Sequence, residues 1–345
     1  MLYYPRMIWD LPTTDDTLIW NTWLSAYHMP SLAVADRLGL FELLHAKPAS
    51  AEELAARTGI GAEPLKALLP MLSAVGFLVP RRGRYQLTPA ARYYLLHDSP
   101  FYWGHAFPVS RTSTAVETLL ERFKASGGAA EAPRTSDSWE SGQVSAEMAL
   151  NIARIMHSHS LPAALGAARQ GDFDGVTRLL DVGGGSGVFS IALAQRFAKL
   201  RCTIMELPTM CERAKHYIAD GGVGERVDTR SVDMFREAWP AGYDAIFMSN
   251  IFHDWDPATN AKLAASAFAA LPSGGRIHLH EILINDEGSG PLAAASFSML
   301  MLVGTKGRQY SFAELAQMLN TAGFVDARAT SSYGHYSLVS ARKPS

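Results

Sequence analysis

The chain has 345 residues, 48% hydrophobic and 19% charged, with a net charge of −2 and two cysteines. This composition reads as a soluble globular protein with a core large enough for two domains, and its charge gives no reason to expect a nucleic-acid partner. Two cysteines exclude a disulfide framework, so a reducing compartment, the cytoplasm, is the expected location. Residues 1–16 mix aromatics, prolines and acids and lack a signal-peptide core. No apolar run reaches membrane-spanning length.

Residues 18–44 read as two helices. Trp20, Trp23, Leu24 and Tyr27 recur there at helical spacing, as a core or subunit-interface stripe does. A further helix starts after Ser50, with Ser50 as cap and Glu53 completing the capping box. The turn Gly59-Ile60-Gly61 leads to a helix over 63–74. Residues 76–79 and 85–87 flank Arg81-Arg82-Gly83-Arg84 as a β-hairpin. Helix, turn, helix and hairpin form a winged-helix pattern, and three wing arginines raise the possibility of a DNA-binding regulator. Against it, the 63–74 helix carries one cation, Lys66, and residues 1–100 hold nine Lys/Arg against nine Asp/Glu. A dimerisation scaffold fits this balance better.

Residues 100–171 link the two halves. Residues 126–142 are rich in small, polar and charged types and read as a surface loop, and 145–165 as a helix. Ile152, Met156 and His159 share one face of it, at i, i+4 and i+7. Strands are expected near 178–182, 201–206, 227–232, 244–248 and 275–281, with a final pair near 325–330 and 335–341. The fold class is therefore α/β, a doubly wound, mostly parallel sheet with an antiparallel edge.

The most informative stretch is Leu179-Leu180-Asp181-Val182-Gly183-Gly184-Gly185-Ser186-Gly187, followed by a helix over 188–197. Strand, glycine turn and helix N-terminus make a nucleotide-cofactor cradle. The spacing G-x-G-x-G differs from the pyrophosphate fingerprint, and an acid ahead of the turn repels a phosphate. It suits S-adenosylmethionine, which carries a sulfonium and an ammonium and no phosphate. A tight turn in a dehydrogenase or an unliganded domain has the same outline. Glu206 ends the second strand, 19 positions after Gly187, near the spacing at which a carboxylate reaches ribose hydroxyls. Asp233-Met234 follows the third strand, where an acid and an apolar side chain suit adenine's amino edge and face.

The strand over 244–248 runs into Ser249-Asn250 and then His253-Asp254-Trp255, before a helix with Asp256 as cap and Pro257 at its first position. His253 thus falls on a loop at the ligand edge of the sheet, where a neutral imidazole can take a hydroxyl proton. A histidine that only fixes the turn is the plain alternative. Glu281 ends the next strand, near His253, and can fix the tautomer of the imidazole. His278 and His280 alternate away from Glu281, which argues against a metal site. The helix over 292–303 is rich in methionine and phenylalanine, which suits an irregular apolar ligand, core packing or a dimer contact equally.

Asp181-Val-Gly-Gly-Gly-Ser-Gly187, Glu206-Leu-Pro208, Val232-Asp-Met-Phe235, Ile251-Phe-His-Asp-Trp255, His280-Glu281 and Gly304-Thr-Lys-Gly-Arg308 occur in this order. Together they resemble the bacterial branch of the dimeric small-molecule O-methyltransferases, the caffeate, acetylserotonin and hydroxyneurosporene type. The resemblance implies a winged-helix dimerisation domain over 1–100, a helical linker over 101–170 contributing to the acceptor pocket, and a Rossmann-like class I methyltransferase domain over 171–345. It implies a homodimer that binds S-adenosylmethionine, needs no metal and methylates a small molecule, with a hydroxyl as the favoured acceptor over sulfur or carbon.

The cofactor group would be Asp181, Gly183, Gly185, Glu206, Asp233, Met234 and Ser249. The catalytic group would be His253, Asp254 and Glu281. Ile152, Met156, His159, Met299 and Val303 would line the acceptor pocket. Two departures stand out. Plant members carry a second glutamate where this chain has Gly307, and a lysine where it has Ser249.

Overall fold

A computed structural model describes residue 11 and residues 13–106, 114–126, 133–170 and 172–345. The chain forms two compact units. One comprises Met1–Thr17, Asp137–Ile282 and Phe312–Ser345, and the other Leu18–Ser136 and Leu283–Ser311. Segment 283–311 thus clusters with N-terminal residues, apart from the sheet that precedes and follows it in sequence.

In the second unit, the expected pair of helices over 18–44 is three, Thr17–Leu24, His28–Arg37 and Leu40–Ala46, with a 3-10 turn at Ser25–Tyr27 and a left-handed Gly39 between the last two. The aromatic stripe packs only in part inside the unit. Trp20 and Leu24 are buried, and Trp20 and Trp23 lie 5.4 and 6.4 Å from the Phe297 ring. The Ser50 capping box forms as expected: Ser50 Oγ accepts from Glu53 N–H, and Glu53 Oε2 accepts from Ser50 N–H at 3.0 Å.

Strands β1 (Leu78–Arg81) and β2 (Arg84–Leu87) close the hairpin through Arg82 and Gly83, both at positive φ, as a tight two-residue turn requires. Helix Ala62–Ala74 buries Pro64, Leu65, Ala67, Leu68, Leu69, Pro70, Met71 and Leu72. It is enclosed nearly all round, so it presents no face for a DNA groove, and the regulator reading fails on packing as well as on charge. Helix Leu292–Gly304 packs on it, and Ser296 Oγ donates to Met71 Sδ at 3.4 Å.

The first unit is a seven-stranded sheet in the order β5-β4-β3-β6-β7-β9-β8: β3 Arg178–Val182, β4 Arg201–Glu206, β5 Val227–Ser231, β6 Ala245–Ser249, β7 Arg276–Ile282, β8 Val325–Tyr333 and β9 Tyr336–Arg342. The first five are parallel, and β9 pairs antiparallel with both β7 and β8. The strand runs anticipated from sequence agree with these to within a few residues. Central strands β3, β6 and β7 are buried along almost their whole length, as parallel strands covered by helices must be. Helices Val188–Arg196, Pro208–Asp220 and Pro257–Ala270 follow β3, β4 and β6.

Two expectations for residues 100–171 change. Residues 135–140 are helical rather than loop, and 127–132 lie outside the described residues. The short helix holds because Trp139 packs against a core of Val144, Ala149, Ala153 and Met210, which compensates for a polar local sequence. The helix expected over 145–165 runs further, as Ala146–Gln170.

Candidate active site

The glycine turn joins β3 to helix Val188–Arg196. Gly183, Gly185 and Gly187 stand at φ +67°, +55° and +78°, which only glycine adopts without strain. Close approach adds a second demand. A Cβ on Gly183 would come within 2.5 Å of Ile251 Cδ1, and one on Gly187 within 2.4 Å of Ile204 Cδ1. At Gly185 a Cβ would meet nothing nearer than Met210 Cε at 4.0 Å, so the backbone is open there to a ligand.

Asp181 is buried beneath this turn. Its Oδ2 accepts from Ser190 Oγ–H at 2.7 Å, and burial pushes its carboxyl up to about 6. Its carboxyl carbon lies 2.7 Å from where a Cβ on Gly184 would stand. Glu206, at the end of β4, accepts from Gly185 N–H at 3.2 Å through Oε1 and from Leu207 N–H at 2.9 Å through Oε2. Burial raises its carboxyl to about 7, against the downward pull of those two bonds.

Past β5, Asp233 Oδ1 accepts from Phe235 N–H at 2.9 Å, and its Oδ2 accepts from Arg236 at 2.6 Å. Met234 is half-buried, and its carbonyl accepts from Trp239 Nε1–H at 3.0 Å. Gly142, at φ +72°, sits over this acid: a Cβ there would touch Asp233 and Arg236, each at 3.4 Å. Ser249, ending β6, is hydrogen-bonded to His280 Nδ1 at 3.1 Å. The four side chains Asp181, Glu206, Asp233 and Ser249 thus stand at the carboxyl ends of four adjacent strands, β3, β4, β5 and β6, where open α/β sheets bind ligands.

His253 lies in the 3-10 turn Phe252–Asp254 and is 4% exposed. Glu281 reaches it from β7. Its Oε1 accepts from the N–H groups of Ile251 and Phe252 at 3.1 and 2.9 Å, while its Oε2 lies 3.1 Å from His253 Nδ1. Asp254 Oδ1 is 3.5 Å from Nε2, and desolvation pushes its carboxyl up to about 6, a rise that His253 opposes and Glu281 adds to.

Asn260, unnoticed in the sequence, holds the same turn from the other side. It is fully buried, and its Nδ2 donates to the carbonyls of Phe252 at 2.8 Å and Trp255 at 3.1 Å. Its only sequence signal was a polar residue one turn inside a capped helix. Asn250, at φ +55°, enters the turn with its Nδ2 donating to Tyr336 Oη at 3.2 Å.

The histidines separate by environment. His278 and His280 are wholly buried, and burial depresses both to about 3. His278 pairs with Ser340 at 2.8 Å, and His280 with Ser332 at 2.8 Å while stacking on Tyr336. Among the described residues no group of three or more His, Cys, Asp or Glu could hold a metal ion.

On helix Ala146–Gln170, Ile152, Met156 and His159 are half-buried. His159 Nε2 lies 3.3 Å from Met156 Sδ, and burial, together with the nearby His253, lowers its pKa. Met299 and Val303 belong to the second unit. Met299 is fully buried there, and the Val303 carbonyl accepts from Arg122 at 3.1 Å. Gly307 is in that unit too, its N–H donating to Thr305 Oγ1 at 3.3 Å.

The sheet order, the glycine turn and the acid at the end of β4 define a class I methyltransferase that uses S-adenosylmethionine. Residues 114–325 match the O-methyltransferase domain, and residues 20–97 match the O-methyltransferase dimerisation domain. The chain is 36% identical over 337 residues to the 3-hydroxy-5-methyl-1-naphthoate 3-O-methyltransferase of Streptomyces sahachiroi, covering 94% of this chain and 90% of that protein. It is 30% identical over 309 residues to the L-tyrosine C(3)-methyltransferase of Streptomyces lavendulae, covering 85% and 82%. The crystal structure of an O-methyltransferase family 2 protein from Planctomyces limnophilus, in complex with apigenin, superposes with a TM-score of 0.86 at 28% identity, over 99% of this chain and 100% of that one. The chain belongs to the O-methyltransferase family.

The residues present fit the cofactor. The turn leaves space at Gly185, and Glu206 stands beside it with a carboxylate still able to accept further hydrogen bonds.

Proposed function

We propose that this enzyme methylates a phenolic hydroxyl on a planar, fused or linked aromatic small molecule, with His253 as general base. The observation that carries this is the pair formed by His253 Nδ1 and Glu281 Oε2, 3.1 Å apart. A carboxylate at that distance favours the proton on Nδ1 and leaves Nε2 basic toward an acceptor hydroxyl. Glu281 is itself held by two backbone N–H groups, so the imidazole is aimed by β7 rather than by a loop. When bound, the cofactor supplies an electrophilic methyl on a sulfonium.

The chain contributes alignment and proton removal. Asp181, Gly183, Gly185, Glu206, Asp233, Met234 and Ser249 would hold the cofactor, and Asp254 would tune the imidazole. Ile152, Met156 and His159, half-buried on helix Ala146–Gln170, would line the acceptor pocket. The hydroxynaphthoate-methylating relative and the apigenin-bound family member support an aromatic acceptor of this shape.

A ring carbon next to a phenolate is a second reading, favoured by the tyrosine C(3)-methylating relative. The same base serves both, because removing the phenol proton activates oxygen and ring carbon alike. We further propose a homodimer built mainly from residues 1–100, a linker over 101–170 that shapes the pocket, a catalytic domain over 171–345, and a cytoplasmic location. The last rests on two buried free cysteines.

Incubation with S-adenosylmethionine and hydroxynaphthoates should yield a methyl ether, identified by proton NMR. His253→Ala should lower turnover by roughly 10²–10⁴-fold and leave S-adenosylhomocysteine affinity nearly intact. A carbon–methyl product would select the second reading. A His253→Ala variant with full turnover would remove the base.

A further inference from the structure

The segment Gly183–Gly187 contains one side chain, Ser186, between two glycines at positive φ. Such a backbone has little stiffness of its own and loses more entropy on ordering than any other sequence. Something outside it must hold it. Glu206 does so from the β4 side, by accepting from Gly185 N–H. Helix Ala146–Gln170 supplies a second hold. Ala149, Ala153 and His157 follow one another at i, i+4 and i+8 on one stripe of that helix. The two alanines are fully buried and share a core with Val144 and Met210, so small side chains bring the helix close. One turn further on, His157 Nδ1 is hydrogen-bonded to Ser186 Oγ at 3.2 Å. The ring is stacked on Tyr217 of helix Pro208–Asp220, 4.1 Å between centroids and 19° between planes. Three elements meet at this imidazole, and one of them is the turn.

We propose that His157 is a positioning residue that clamps Ser186 and so fixes the glycine turn in the shape that receives the cofactor, a proposal resting on the assignment of that turn as the cofactor cradle. Burial depresses the imidazole to about 4, with Asp220 opposing, so the ring stays neutral across the working pH range and keeps a lone pair and an N–H for hydrogen bonding. Stacking on Tyr217 fixes the plane of the ring, and Ser186, 1% exposed, is shielded from competing water.

Calorimetric titration of the full-length protein with S-adenosylhomocysteine tests the clamp. Ser186→Ala and His157→Phe, which keeps the stack and removes the nitrogens, should each weaken binding by about 3- to 10-fold. The double variant should be no weaker than either single one, because both remove the same bond. His157→Asn, whose amide can replace Nδ1, should bind within about twofold of wild type. Wild-type affinity in both single variants, additive losses in the double variant, or a His157→Asn protein as weak as His157→Phe would each overturn the clamp. If no His157 variant folds, Ser186→Ala decides alone: weakened binding supports the clamp and unchanged binding refutes it. A wild type that fails to bind S-adenosylhomocysteine would instead refute the cradle assignment, and the clamp with it.

Discussion

Glu206, if it holds the cofactor's ribose as proposed, sets a condition on binding. Its carboxyl is raised to about 7 by desolvation, although two N–H groups favour its charged form. A carboxylate that accepts from ribose hydroxyls must be ionised, whereas the free protein takes up a proton as the pH falls through about 7. S-adenosylhomocysteine affinity should therefore be greatest above that pH and decline below it. Glu206→Gln should abolish the pH step and weaken binding at high pH by about 1–3 kcal/mol. Isothermal calorimetry at several pH values reads both effects, and a flat wild-type profile would remove Glu206 from the cofactor group. Asn260 makes a different demand, since two buried carbonyls depend on its one amide. Asn260→Ala should cost about 1–3 kcal/mol of stability, measured by urea denaturation, and should lower turnover because the turn carrying His253 loses one of its two supports. Undiminished turnover would mean that Glu281 suffices.

Among the elements, helix Ala146–Gln170 has two unlike faces. Its Ala149/Ala153 stripe is sealed against Met210, whereas Ile155 is 60% exposed. A leucine in place of Ala153 has no room, and overpacking of this kind costs about 1–3 kcal/mol. Ile155→Lys should stay within about 0.5 kcal/mol of wild type. Thermal unfolding followed by circular dichroism separates the two variants. Equal melting temperatures would mean that the helix is not seated as described. Because the same stripe leads to His157, Ala153→Leu should also weaken S-adenosylhomocysteine binding, whereas the Ile155 variant should not.

For the molecule as a whole, the first helix presents a surface that a monomer has little reason to keep. Leu18 is 79% exposed, Ile19 66% and Trp23 48%, and grouped apolar exposure marks an interaction surface. The dimerisation-domain match begins at residue 20, within this helix, and takes in Trp23. Light scattering should give twice the 37.5 kDa chain mass at micromolar concentration. Leu18→Glu together with Ile19→Glu should shift the protein toward the monomer. A wild-type monomer would refute the dimer, and a double variant that remains dimeric would move the interface away from this helix.

Local patterns could be read from sequence alone wherever the physics is local. The capping box at Ser50, the β-hairpin around Arg82-Gly83, Asp256 and Pro257 opening a helix, and the strand–glycine–helix cradle each depend on residues a few positions apart, and they stand close to where spacing puts them, although the hairpin's turn is two residues where four were expected. The meeting of His253 with Glu281 was also within reach, because His253 follows β6 and Glu281 stands at the end of β7, its parallel neighbour. The structure alone revealed the partners across the fold: Asn260 under the turn, His157 on Ser186, Asp181 turned beneath the glycines toward Ser190, and segment 283–311 gathered with the N-terminal helices. Hydrophobic period tells which face of an element is buried. It does not tell which distant apolar face, or which single hydrogen-bonding group, that surface will meet.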